Sequence, residues 1–137
     1  MRKFLVTGGA GFIGSAFVRL LLDELPDVLV INLDLLTYAG NRDSLEGLDQ
    51  QRHQFLLGDI ADPETVAQAL GDDCEAIINF AAESHVDRSI LDCAEFLRTN
   101  IVGTQVLLDA ARKHGVRRFV QVSTDEVMGS LPDAGTT

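Results

Sequence analysis

Residues 3–14 read Lys-Phe-Leu-Val-Thr-Gly-Gly-Ala-Gly-Phe-Ile-Gly. Phe4 to Thr7 are apolar or β-branched and form a short strand with no polar face. Glycines follow at 8, 11 and 14, and an apolar helical pattern begins at once. A chain that opens this way is confined to a strand, a tight turn and a helix that starts at the turn. Gly8 permits the turn, Gly11 lets backbone N–H groups approach a phosphate, and Gly14 lets the helix pack close to the strand. The start of the helix adds unpaired N–H donors and a partial positive charge. Counted from Gly9, the spacing is Gly-x-Gly-x-x-Gly. Its support is Asp34, 20 residues past Gly14, at the end of a second apolar run from Val28 to Leu33. An acid there accepts hydrogen bonds from an adenine-ribose diol and repels a 2′-phosphate, which predicts a site for NAD rather than NADP.

Composition narrows the partners. With 137 residues and 46% hydrophobic content the chain is one folded domain. Its 21 acidic and 11 basic residues give a charge of −10, which argues against nucleic acid or an anionic membrane as the main partner. A phosphorylated small ligand stays compatible, because backbone amides supply most of such a contact. The sequence shows neither a cationic leader nor an apolar run long enough to span a bilayer, so a cytoplasmic location is expected. Cys74 and Cys93 read as buried, reduced thiols, and His53, His85 and His114 are too scattered for a metal site.

Further along, Ile13, Phe17, Leu20 and Leu21 share one side of the first helix, which Pro26 closes. A short helix is expected around 42–48, and Phe55 to Leu57 form a third strand that stops at Gly58-Asp59. Asp62-Pro63-Glu64 is a helix start that runs to Gly71. Ala76 to Ala82 form a fourth strand, Asp92 to His114 a long helix closed by Gly115, and Phe119 to Val122 a fifth strand. Alternating strands and helices predict a Rossmann-type, doubly wound parallel α/β sheet of order 3-2-1-4-5. Ligands in such sheets lie at the carboxyl ends of the strands. Asp34, Asp59, Glu83-Ser84-His85 and Thr124-Asp125-Glu126 each follow a strand, so four polar clusters converge on one crevice.

Several strings together resemble the extended short-chain dehydrogenase/reductase superfamily. They are Thr7 to Ser15, Leu33 to Asn41, Gly58 to Ile60, Asn79 to Ser89, Thr99 to Thr104 and Ser123 to Gly129. Within that superfamily the chain is similar to the nucleotide-sugar 4,6-dehydratases, those acting on dTDP-glucose above all. The resemblance implies NAD contacts from Gly8, Gly11, Phe12, Ile13 and Gly14, and from Leu33, Asp34, Leu35, Leu36 and Thr37. It implies further contacts from Asp59 and Ile60 around adenine, from Ala81, Ala82, Glu83, Ser84 and His85, and from Thr99. Ser84, His85 and Thr124 would meet the sugar, and Thr124, Asp125 and Glu126 would carry the chemistry. The implied reaction oxidises C4 of the sugar, eliminates water across C5 and C6, and returns hydride to C6. Asp125 and Glu126 are consecutive, so both reach one sugar only if the backbone has left strand geometry. The fifth strand is therefore expected to stop by about Ser123.

The departures are as informative. The family's Tyr-x-x-x-Lys does not occur here; the one tyrosine is Tyr38, and the lysines are Lys3 and Lys113. Met128 stands where the family usually has Tyr, and Leu35 where it often has Lys. The reading is thus of residues 1–137 as an incomplete NAD-binding domain, lacking the remaining strands and the carboxyl-terminal sugar-nucleotide domain. By itself such a piece is expected to bind NAD weakly and not to turn over substrate; a homodimer is expected at full length. Alternatives are a non-catalytic NAD-binding module and another nucleotide-sugar dehydratase or epimerase, although an epimerase has no use for the Asp125-Glu126 pair.

Overall fold

The computed structural model describes residues 1–36, 42–81, 94 and 98–123. Five strands, β1 (Arg2–Thr7), β2 (Val28–Asp34), β3 (His53–Leu57), β4 (Cys74–Asn79) and β5 (Arg118–Gln121), form one sheet. Its order is β3-β2-β1-β4-β5 and every neighbouring pair is parallel, as the alternation of elements predicts. Between the strands lie α1 (Phe12–Glu24), a 3-10 turn at Arg42–Leu45, α2 (Pro63–Leu70), a π-helical turn at Arg98–Gly103, and α3 (Thr104–Lys113).

Both sheet faces are covered, which is why β2 shows no alternation of apolar and polar residues. Leu5, Ile31, Leu33 and Ile77 pack on one side with Val66, Leu70, Leu107 and Ala111 of α2 and α3. Val6, Val28, Val30 and Ile78 pack on the other with Val18, Leu21 and Leu22 of α1. Each fully buried Leu or Val contributes about 2 kcal/mol of transfer free energy. Against that, the half-buried Arg2–Glu75 pair across β1 and β4, still open to solvent, is a minor contributor.

The local signals for α2 hold in detail. Asp62 caps it by accepting from the Glu64 N–H, Pro63 opens it, and Gly71 closes it at φ +53°. At the end of α3, Gly115 takes φ +67°, and the N–H of Val116 bonds back to the Ala111 carbonyl at 2.9 Å. That is the 6→1 bond of a left-handed helix stop.

Three expectations are corrected. The buried stripe of α1 is Gly14, Ser15, Val18, Leu21 and Leu22, whereas Ile13 and Leu20 are exposed. Packing so close to the glycine turn rotates the helix until its small residues face the sheet. The fourth strand stops at Asn79, not Ala82, because the Asn79 side chain takes the Ala81 N–H (3.1 Å) and turns the chain out of the sheet. The long helix expected from Asp92 is, over its described residues from Arg98 on, a π-helical turn followed by α3. Gly103 lies at the junction, where a Cβ would come within 2.5 Å of the Ile60 side chain. The fifth strand ends at Gln121, within the limit its polar sequel requires.

Candidate functional site

The strand register brings the carboxyl ends together: Thr7 lies beside Leu33 and Asn79, Asp34 beside Leu57, and Asn79 beside Gln121. Between β1 and β4 the order reverses, since β2 and β3 lie to one side and β4 and β5 to the other. The glycine turn sits at this switch point.

Gly8 stands at φ +74°, its N–H bonded to the Leu33 carbonyl at 2.9 Å. A Cβ there would lie 2.6 Å from the Ala81 amide nitrogen. A Cβ on Gly14 would lie 2.3 Å from the Gly8 carbonyl oxygen, so α1 seats directly on the turn. The Gly11 N–H donates to the Gly8 carbonyl at 3.2 Å. Gly11 is also the N-cap of α1; among the described residues no side chain caps this terminus, and no acid stands in its first turn. The opening N–H groups of α1 are therefore oriented for an anionic ligand. Phe12 (92% exposed) and Ile13 (65%) flank them as an apolar rim.

Asp34 is 8% exposed, and both carboxylate oxygens accept backbone N–H groups, Oδ2 from Ala10 and Oδ1 from Leu36, each at 2.8 Å. One acid thus ties the glycine turn to the loop after β2. It also holds Leu36 at φ +56°, a backbone region that leucine rarely enters. Each carboxylate oxygen keeps a second lone pair, enough to accept ribose hydroxyls. Leu33 is wholly buried and contributes its carbonyl, while Leu35 is exposed.

On the far side of β2, Asp59 accepts from the Ala61 N–H through Oδ1 and from Arg98 Nε through Oδ2, both at 2.9 Å. Ile60 is buried beneath Gly103. Thr99 belongs to the π-helical turn that carries Arg98 and is partly exposed. Thr37, Ala82, Glu83, Ser84, His85, Thr124, Asp125 and Glu126 lie outside the described residues.

Some organising residues were not among the predicted site residues. Asn79 is fully buried; its Oδ1 accepts from Thr7 Oγ1 and from the Ala81 N–H, and its Nδ2 donates to Gln121 Oε1 at 2.9 Å. It binds the ends of three strands at the switch point. Asn32 is also fully buried, against the glycine turn. A polar residue inside an apolar strand run was the available signal for both. Arg98 carried none, because its partner lies 39 residues away. Among the described residues no helix is long and apolar enough to cross a membrane.

A parallel sheet with a glycine turn at its switch point and an acid at the tip of β2 defines a dinucleotide-binding α/β domain of Rossmann type. The chain belongs to the GDP-mannose 4,6 dehydratase family, whose model matches residues 5–137. It is 57% identical over 134 residues to the low-salt glycan biosynthesis protein Agl12 of Haloferax volcanii, covering 97% of this chain and 43% of that one. It is 55% identical over 136 residues to a dTDP-glucose 4,6-dehydratase of Streptomyces griseus, covering 97% and 41%. The crystal structure of DesIV, a dTDP-glucose 4,6-dehydratase from Streptomyces venezuelae with NAD bound, superimposes with a TM-score of 0.89 at 52% identity. That match covers 96% of this chain and 42% of DesIV. The chain thus spans roughly two fifths of the length of these relatives.

Proposed function

We propose that this chain is the NAD-binding part of a dTDP-glucose 4,6-dehydratase, a hydro-lyase of nucleotide-sugar and deoxysugar biosynthesis. The observation that carries the reading is Asp34: a nearly buried carboxylate at the tip of β2, bonded to the glycine turn on one side and to Leu36 on the other. The cradle fits a dinucleotide, since glycines stand where a Cβ would strike Ala81 or Gly8 and no side chain among the described residues caps the α1 terminus. NAD, when bound, would accept hydride from C4 of the sugar and return it at C6.

The chain's own residues divide the remaining work. The α1 terminus and the Gly8 to Gly14 turn hold the pyrophosphate. Asp34 receives the adenine ribose, and Asp59 with Ile60 borders the adenine. Ser84, His85 and Thr124 contact the sugar. Once C4 is a ketone the C5 proton is acidic; Glu126 removes it, and Asp125 protonates the departing C6 hydroxyl, which leaves as water. One carboxyl must be ionised and its neighbour protonated, a split that burial and mutual repulsion produce. In this reading the full-length protein is a cytoplasmic homodimer. The sequence contains no Tyr-x-x-x-Lys. A second reading is a module that binds NAD without turnover.

The test uses the protein that carries this chain. Incubated with dTDP-glucose, it is expected to form a 4-keto-6-deoxy sugar, and Glu126→Gln is expected to slow it by about 10²–10⁴-fold. Binding of NAD without product would favour the second reading, and epimerised sugar as the only product would overturn the dehydratase.

A further inference from the structure

We propose that His53 is a positioning residue for the glycine turn, acting through Asn32. The inference rests on reading that turn as an NAD site. Asn32 is wholly buried in β2, on the sheet face that α1 covers. A Cβ on Gly9 would fall 2.3 Å from Asn32 Oδ1 and 2.6 Å from Nδ2, so Gly9 rests on this amide with nothing between. The neighbours of Gly9 are Gly8, at positive φ, and Ala10, whose N–H is held by Asp34. A displacement of the Asn32 amide therefore moves the segment whose N–H groups face the ligand.

Among the described residues one hydrogen bond orients that amide. Asn32 Nδ2 lies 3.2 Å from His53 Nε2 at the start of β3, on the same sheet face, and His53 is 9% exposed. Oδ1 of Asn32 has no hydrogen-bond partner among the described residues. In this arrangement His53 must be neutral, with its proton on Nδ1, so that Nε2 accepts from the amide. The carbonyl is then the atom that faces the Gly9 methylene, where a weak C–H···O contact suits it. Protonation of Nε2 sets two donors against each other. The amide must then turn over, which places two buried N–H groups against Gly9 with no acceptor.

The surroundings oppose that protonation. Burial lowers the His53 pKa, and the charge of Arg19 on α1 lowers it further. The Arg52 guanidinium, adjacent in sequence, turns away to the carbonyls of Leu22, Leu25 and Val28. Asp43 and Glu46 line, with His53, an open hollow of about 670 Å³ beside the 3-10 turn. His53 pairs with Val30, four residues before Asp34, so it touches no ligand at the strand tips and acts only through Asn32.

The experiment measures NAD affinity calorimetrically between about pH 5.5 and 8, in the protein carrying this chain and in His53→Phe and His53→Gln. Nitrogen-15 NMR follows the His53 ring in the unsubstituted protein. The expected results are an Nδ1–H tautomer and an affinity that falls as the His53 ring protonates. His53→Phe should bind NAD about fivefold more weakly at neutral pH, the equivalent of one neutral hydrogen bond. His53→Gln, whose Oε1 accepts from Asn32 and does not titrate, should keep the neutral-pH affinity and lose the His53-linked fall. A merely structural histidine would lower the melting temperature of the variants and leave affinity and its pH profile unchanged; that result overturns the proposal, as does an Nε2–H tautomer. If His53→Phe does not fold, the NMR titration and His53→Gln carry the decision. NAD binding that ignores His53 defeats this inference alone, whereas no NAD binding at any pH defeats the cofactor reading and this inference with it.

Discussion

Asp34 and Gly8 are the two residues on which the site turns. Asp34 uses its oxygens twice, for backbone and, in the proposed function, for ribose. Asp34→Ala should weaken NAD binding by more than about tenfold, since a charged acceptor and two backbone anchors go together. It should also narrow the preference over NADP, because the repulsion of a 2′-phosphate is gone; paired titrations with the two cofactors check both. Gly8→Ala adds a Cβ 2.6 Å from a backbone nitrogen at φ +74°. Its cost should exceed the roughly 1–2 kcal/mol of the left-handed conformation alone, measurable by denaturant unfolding. Cys74 is buried, its Sγ donates to the Ala76 carbonyl, and burial pushes the thiol pKa up. It should stay unlabelled by a thiol reagent in the native protein and react on unfolding, as peptide mass spectrometry would read. Cys93 lies outside the described residues.

The elements are held at their ends by means the motifs only partly reveal. Arg52 reaches from the approach to β3 to the carbonyls of Leu22, Leu25 and Val28, and so closes α1 where neither a glycine nor a basic last turn does. Arg52→Met keeps the stem and removes the donors. It should cost about 2 kcal/mol, seen as a lower unfolding midpoint with an unchanged denaturant slope. Among the described residues two carboxylates are held below their ordinary values: Asp62 by the Thr65 hydroxyl at the start of α2, and Glu75 by Arg2 across β1 and β4. Both contributions are present above the ordinary carboxylate range. They are lost as pH falls, because the unfolded chain takes up the protons first. Thermal melts should therefore drop on acidification through about pH 4, and Glu75→Gln should flatten part of that fall. Pro63, Asp62 and Gly115 announced their helix ends because capping is local. The α1 stripe did not follow its most apolar residues, because the distance between helix and turn, not hydrophobicity alone, chose which side faces in.

For the molecule as a whole, alternation of strands and helices was enough to order the sheet, since right-handed crossovers leave few arrangements. The convergence of Asp34 and Asp59 at one edge follows from that order. The residues of the proposed elimination, Thr124, Asp125 and Glu126, lie outside the described residues, so their convergence with Asp34 rests on sequence.

The sequence by itself determined the strand order, the glycine turn, the acid at the end of β2 and the helix caps. Each depends on residues a few positions apart or on a periodicity that a short window carries. Only the tertiary structure decided that Asn79 joins three strand ends, that Arg98 faces Asp59, and that Asn32 lies between His53 and Gly9. Those contacts join residues far apart in the chain, and their partners are fixed by sheet register and the close seating of α1. No local pattern encodes them.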